Sequence, residues 1–248
     1  FTITDASEIT GSEANFTDLL TDEGNSQIAI TGQNLTVNTG EVSVSTARSL
    51  SDTTTGTVTG TITSGTTIAA MLDENTGLIE TDAYTITIAA GDAEATATDL
   101  TALYGKTSVA VDASAVTQIT GTVAEANIVY GAGSSEITGL GNEIVVTTES
   151  SLADVTALNT LDGNTTGTVN TATITSVTGT LAKLLTAYGS NGITGLGNEA
   201  ITVSDTTTLA ASDLNSLDSK TSGLITLDTT LATLTGTVAE LNTAYGSS

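Results

Sequence analysis

Apolar residues along this chain keep two rhythms that take turns. In the runs SVAVD, ATITSVTG and GLITLD, the pairs Val109/Val111, Ile174/Val177 and Ile225/Leu227 recur among polar neighbours, as in half-buried strands. Between such runs the spacing turns helical: Leu181, Leu184, Leu185 and Tyr188 fall at i, i+3, i+4 and i+7, predicting one buried stripe. The pattern predicts helices over 123–130, 152–162, 181–188, 209–218 and 238–245, with starts about 29 residues apart. Each interval holds two short strands joined by a corner, and the GLGNE segments at 139–143 and 195–199 read as turns.

Local chemistry marks the helix ends. Thr122 with Glu125, and Thr237 with Glu240, have capping-box spacing, in which each side chain satisfies an orphan backbone donor. Thr180 keeps the cap, whereas Lys183 in place of the Glu removes its reciprocal partner. Gly105, Gly131, Gly189 and Gly246 each follow a Tyr and read as glycine stops. Helices of about eight to ten residues are marginal alone and must be held by packing on neighbours.

A longer repeat overlies this alternation. Thr-Gly-Thr triplets begin at Thr120, Thr178 and Thr235, a nearly constant long period. Two helix types alternate, one reading TGTVAELNTAYG and the other LAASDLNSLD or LADVTALNTLD, so the sequence period is twice the structural one. Long-period self-similarity is the mark of stacked units. Residues 107–248 carry it clearly, and residues 1–106 carry a divergent version with helical corners at 15–22, 45–52, 67–74 and 95–104. The expected fold is mainly β with short helices: a right-handed α/β solenoid of about nine 28–29-residue coils, each with parallel strands and one short helix. Parallel strands stack at about 4.8 Å and helices at about 8–10 Å, so alternate helices are expected to be staggered.

The blocks TGTVAELNTAYGS, LNTLDGNTTGTVN and the stretch from Ile193 to Asp218 resemble the repeats of very large secreted cell-surface proteins of marine bacteria and cyanobacteria, the β-strand repeat proteins. The likeness covers residues 107–248 well and residues 1–106 poorly. It implies an extracellular or cell-surface filament role, in adhesion or motility, and brings no active site with it.

Composition narrows the function further. Asp and Glu number 28 against 4 Lys and Arg, a formal charge of −24 spread along the whole length. Arg48, Lys106, Lys183 and Lys220 are too few and too scattered to bind phosphate, which excludes nucleic acid and anionic lipid as partners. Self-repulsion of this size favours a hydrated surface, and screening suits it to a saline medium. No apolar run approaches the roughly 20 residues that span a bilayer. The chain opens at Phe1 with neither initiator Met nor signal peptide, and reads as a processed product or an excerpt.

Chemistry has little to work with. The absence of His and Cys removes Ser-His-Asp triads, thiol nucleophiles and the usual zinc ligands, so no enzyme and no catalytic residue are expected. Calcium needs only oxygen ligands, and Asp162, Asp205, Asp213, Asp218, Asp228, Glu143 and Glu199 recur near turns. No calcium-loop motif accompanies them, and the favoured reading is of solvated carboxylates forming turns and caps, with no cofactor. Runs of alternate Thr at 57/59/61/63, 85/87 and 171/173/175 would put hydroxyls and methyls on one strand face. Aligned between coils, they would bind ice or a surface polysaccharide; Thr is equally an ordinary strand residue. With no Pro to break a ladder and no polar cap at either end, the coils are expected to stack head to tail on another copy or to continue covalently. The expected function is therefore structural, an extracellular filament or the stalk of a large surface protein. The alternative is an adhesin or phage fibre that binds through a Thr-rich face.

Overall fold

A computed structural model describes residues 6–79, 82–133 and 135–246. The chain divides into two compact units, Phe1–Thr117 with Val129–Leu140, and Gln118–Ile128 with Gly141–Ser248. Both are mixed α/β, and in both the strands pair in parallel with partners about one turn of chain further on.

In the first unit Glu8–Ser12, Asn34–Thr39, Val58–Thr61 and Ala83–Thr85 form one parallel sheet in that order. Each strand meets the next at a similar separation along the chain, as in Glu8↔Asn34, Leu35↔Val58 and Thr59↔Ala83. Four helices accompany it among the described residues: α1 (Glu13–Gly24), α2 (Val44–Thr53), α3 (Ile68–Leu72) and α4 (Ala97–Tyr104). Their starts match the corners expected from sequence to within two residues. Leu35, Val58 and Tyr84 are buried on the strands, and Phe16, Leu50 and Leu100 on the helices. Alternation puts one strand face in the core and leaves the other to polar residues.

In the second unit Gln118–Gly121, Ile144–Thr147, Val169–Asn170 and Ile193–Thr194 follow one another in parallel. A second parallel sheet runs Ser151–Leu152, Ser176–Gly179, Ala200–Val203, Ile225–Leu227. A third pairs Thr208–Ala210 with Thr233–Thr235. The helices are α5 (Val123–Gly131), α6 (Val155–Asn164), α7 (Leu181–Gly189), α8 (Ala211–Asp218) and α9 (Val238–Gly246). α6 packs on α7, α7 on α8 and α8 on α9.

The uniform helix spacing expected from sequence gives way here to two intervals. Helices α5 to α9 start at Val123, Val155, Leu181, Ala211 and Val238, so a long interval alternates with a shorter one. Paired strands keep a nearly constant separation instead, as in Gln118↔Ile144, Val145↔Val169 and Ile201↔Ile225. The long intervals each hold an extra strand, Ser151–Leu152 before α6 and Thr208–Ala210 before α8. Leu152 and Leu209, helical by sequence pattern, are buried strand residues. Helices therefore come in pairs, each pair led by its own strand ladder: α6 with α7, then α8 with α9. The alternation of long and short intervals makes the sequence period twice the step from one helix to the next.

Four other expectations are corrected. Helical residues outnumber strand residues, so the fold is mixed α/β and not mainly β; many strands hold only two to four residues. The buried stripe of α7 is Leu181, Leu184 and Ala187, with Leu185 and Tyr188 half-buried at its margin. Val109 stands exposed while Val111 is buried, because Val109 lies in a turn where its N–H donates to the Thr107 hydroxyl. The Tyr-Gly stops also behave differently. None of Gly105, Gly131, Gly189 or Gly246 takes a positive φ; left-handed glycines sit instead in the GLGNE turns, at Gly139, Gly141, Gly195 and Gly197. Ser190 is already extended, so α7 ends by leaving directly into the next turn.

Candidate functional site

The buried hydroxyls of Ser51 and Tyr84 meet the Asp82 carboxylate once, at 2.6 and 3.2 Å. What recurs instead is a set of carboxylates spent on the backbone. Glu143 and Glu199 close the two GLGNE turns and are buried, 0 % and 1 % exposed. Both Glu143 carboxylate oxygens accept from Gly141 N–H, at 3.1 and 2.8 Å. Glu199 Oε2 accepts from Gly197 N–H at 2.8 Å, Asn198 N–H at 3.2 Å and the Tyr188 hydroxyl at 2.8 Å. Burial, then the bond to Glu199 and its charge, pushes the Tyr188 hydroxyl above its ordinary value. Gln33 fills the matching turn in the first unit, its Oε1 accepting from Thr31 and Gly32 N–H at 3.0 and 3.2 Å.

A second set caps helices from the following turn. Val123 N–H, the first of α5, donates to Glu149 Oε1 at 2.8 Å, and Leu181 N–H, the first of α7, to Asp205 Oδ2 at 2.7 Å. In the first unit Ile68 N–H of α3 donates to Asp92 Oδ2 at 2.8 Å. Each acid neutralises the positive end of a helix while tying two turns together. Here the cap expected at Thr180 fails: its side chain makes no cap bond, and Asp205 does that work from one turn further on. The capping boxes at Thr122/Glu125 and Thr237/Glu240 form as their spacing requires. Nothing in the local sequence marks Glu149, Asp92 or Asp205 as caps, since each serves a helix a whole turn earlier in the chain.

The acids considered for calcium are dispersed among these duties. Asp162 accepts from the Ser190 hydroxyl and Asp228 from Thr230 N–H, while Asp213 stands in the first turn of α8 and Asp218 at its end. Among the described residues no three His, Cys, Asp or Glu side chains are grouped to hold a metal ion. Likewise, among them no helix is long and apolar enough to cross a membrane.

The Thr runs divide. Thr171 is buried with its hydroxyl on Thr194 O, and Thr173 and Thr175 hydroxyls donate to Thr147 O and Ser150 O, so this run is turned onto the backbone and forms no outward array. Short ranks do align elsewhere. Thr178, Thr202 and Thr226 are direct partners across three strands, as are Thr10, Thr36 and Thr59 in the first unit. Comparison with known proteins finds no matching family model, no matching curated protein and no matching solved structure.

Acid and salt should act on this carboxylate chemistry in opposite senses. Glu13, Asp73, Asp112, Glu125, Asp154, Asp228 and Glu240 are all held below their ordinary values. The chief cause is a hydroxyl at Glu13 (Ser43), Asp73 (Thr76), Asp154 (Thr156) and Asp228 (Thr230), and a backbone N–H at Asp112, Glu125 and Glu240. A lowered native value means stability that is complete above the unfolded value, 3.8 for Asp and 4.5 for Glu, and lost as pH falls through the native one. At neutral pH the charge of −24 works against the compact state, and the Arg48–Asp52 pair at 4.0 Å offsets little of it. The melting temperature at pH 7 is therefore expected to rise by a few degrees on adding about 1 M NaCl, which shortens the Debye length to about 3 Å. It should fall steeply below about pH 4. Circular dichroism melts across pH and salt check both, and a melting point indifferent to either would contradict the account.

Proposed function

We propose that this chain is a segment of a right-handed α/β solenoid whose function is structural, an extracellular filament or the stalk of a large cell-surface protein. The observation that carries the reading is the register: strand after strand pairs in parallel with one a turn of chain later, inward residues on inward residues. Side chains bind the next turn's backbone in the same way from turn to turn, so each turn is a template for another. The right hand follows from the general preference of parallel crossovers. Many polar residues serve caps, turns and turn-to-turn bonds, which is the economy of a scaffold. The likeness of residues 107–248 to repeats of giant secreted surface proteins supports the extracellular placing.

Electron microscopy of the natively isolated protein, without a denaturing step, tests this. Uniform fibres or rods whose axial spacing matches stacked strands of about 4.8 Å are expected. Compact particles with no such spacing would end the reading. The aligned Thr178–Thr202–Thr226 rank favours a second one, a binding module for ice or a surface polysaccharide. Under that reading Thr202→Lys abolishes binding and leaves the fold intact.

A further inference from the structure

One turn motif recurs in both units and holds a reactive pair of residues at a single place. In it a Ser or Thr hydroxyl accepts the N–H of the residue two further on. Thr54 receives Gly56 N–H at 3.0 Å, Thr107 receives Val109 N–H at 3.1 Å and Thr165 receives Gly167 N–H at 3.0 Å. Ser190 receives Gly192 N–H at 3.0 Å and Thr221 receives Gly223 N–H at 2.9 Å. The middle residues are Thr55, Ser108, Thr166, Asn191 and Ser222, and Asn191-Gly192 is the one Asn-Gly pair in the sequence. Such a pair is prone to lose ammonia, because glycine has no Cβ to keep its nitrogen away from the asparagine side-chain carbonyl.

Two differences set the Ser190 turn apart. At Thr54, Thr107 and Thr165 the hydroxyl donates onward to a backbone carbonyl (Gln33 O, Tyr84 O and Glu143 O), a poor proton acceptor. The Ser190 hydroxyl donates instead to Asp162 Oδ2, at 2.8 Å. Asp162 Oδ1 lies against Gly192, in the space a Cβ would take. Asp162 stands near the end of α6 and Ser190 directly follows α7, so the packing of α6 on α7 brings the acid to this loop.

The second difference lies in the middle residue. Thr55, Ser108, Thr166 and Ser222 each donate their backbone N–H to a carbonyl one turn earlier, on Thr31, Asp82, Gly141 and Gly197. Asn191 makes no such bond among the described residues, and it is exposed. Its amide is therefore free to turn toward Gly192 N, and water reaches it.

We propose that Asn191 is a self-catalysed deamidation site, at which Ser190 relays a proton from Gly192 N to Asp162. Gly192 N attacks Asn191 Cγ as its proton passes to Ser190 Oγ and the Ser190 proton passes to Asp162. The new N–Cγ bond closes a succinimide ring. The Cγ–Nδ2 bond breaks, and Nδ2 leaves as ammonia with the proton that Asp162 had taken. Water then opens the ring to aspartate or isoaspartate, with nothing oxidised or reduced. The product adds a carboxylate to a chain whose formal charge is already −24. The isoaspartate form also lengthens the backbone by a carbon just before Ile193–Thr194, which pairs with Val169–Asn170.

Incubation of the folded chain at neutral pH, then digestion and mass spectrometry of the peptide that holds residue 191, tests this. The folded chain is expected to deamidate about tenfold or more faster than a synthetic peptide of the same local sequence, AYGSNGITG, a modest share of what a positioned base supplies. Asp162→Asn still accepts the Ser190 hydroxyl but takes no proton, so it should bring the folded chain down to the peptide's rate or below. Peptide mapping separates residue 191 from the second Asn-Gly pair which that change makes. Ser190→Thr, the residue of the matching turns, should keep the fast rate, and Ser190→Ala should lose it. Circular dichroism confirms that each variant is folded. A folded chain no faster than the peptide, or an Asp162→Asn variant that deamidates like wild type, overturns the proposal. The comparison of wild type with the peptide needs no variant, so it decides the matter even where a variant fails to fold.

Discussion

Replacing Gly167 by Ala is expected to destabilise the second unit by about 3 kcal/mol, one of the largest effects of any single methyl group in this chain. A Cβ at Gly167 would meet the Glu143 carbonyl carbon and oxygen one turn back, well inside the 3.0 Å that real Cβ atoms keep. That carbonyl cannot give way. It already accepts the Thr165 hydroxyl at 2.8 Å, and the Glu143 side chain is tied to Gly141 N–H within its own turn. Gly56 meets the Gln33 carbonyl and Gly223 the Glu199 carbonyl in the same way, so the requirement is built into the turn-on-turn contact. The glycine is needed for close approach, not for a positive φ. Gly163→Ala, inside α6 where an added Cβ meets nothing within 4 Å, is the control and should stabilise by about 0.5–1 kcal/mol. Urea unfolding of the two variants measures both signs. If Gly167→Ala unfolds like wild type, turn spacing is softer than the structure requires.

Glu199→Ala is expected to cost about 2 kcal/mol, because it removes a buried acceptor that serves several donors at once. Three donors lose their acceptor at once: Gly197 N–H, Asn198 N–H and the Tyr188 hydroxyl. The matching turn in the first unit predicts how to avoid the loss. There Gln33 serves with a neutral amide oxygen, so Glu199→Gln should cost less than about 1 kcal/mol. Glu199 Oε1 has no partner among the described residues, which leaves that corner free to take an amide group. Tyr188→Phe removes one donor and should fall between, at about 1 kcal/mol. Thermal unfolding of the three variants gives the order. Should Gln prove as damaging as Ala, negative charge and not acceptor geometry is what the turn needs.

The two sites mark where local pattern stops being enough. The helices were legible from apolar residues three and four apart, and at α5 and α9 from the capping-box spacing of Thr122/Glu125 and Thr237/Glu240 as well. Parallel pairing was legible from the repeat. The start of α6 and of α8 was not. Leu152 and Leu209 sit at distances from the following Leu that suit a strand-to-helix corner and a helix equally, and only pairing with Val177 and Leu234 makes them strand. Glu143 and Glu199 read as surface carboxylates near turns, since nothing in GLGNE reveals that the side chain folds back under its own backbone.

By itself, then, the amino-acid sequence determined the local units of this protein. Short-range spacing sets a capped helix, a two-residue alternation sets a strand, and glycine sets a left-handed turn, all within a short stretch of chain. It also determined that the units recur, and that neither His nor Cys is present to act on a substrate. Only the tertiary structure decided how one turn meets the next: the pairing of helices, the alternation of long and short helix intervals, the acids that cap a helix one turn away and the glycines under a neighbouring carbonyl. Those contacts join residues far apart in sequence, as Val123 N–H joins Glu149 at 2.8 Å and Leu181 N–H joins Asp205 at 2.7 Å. Their partners are set by how strands of successive turns pair, which no local pattern along the chain records.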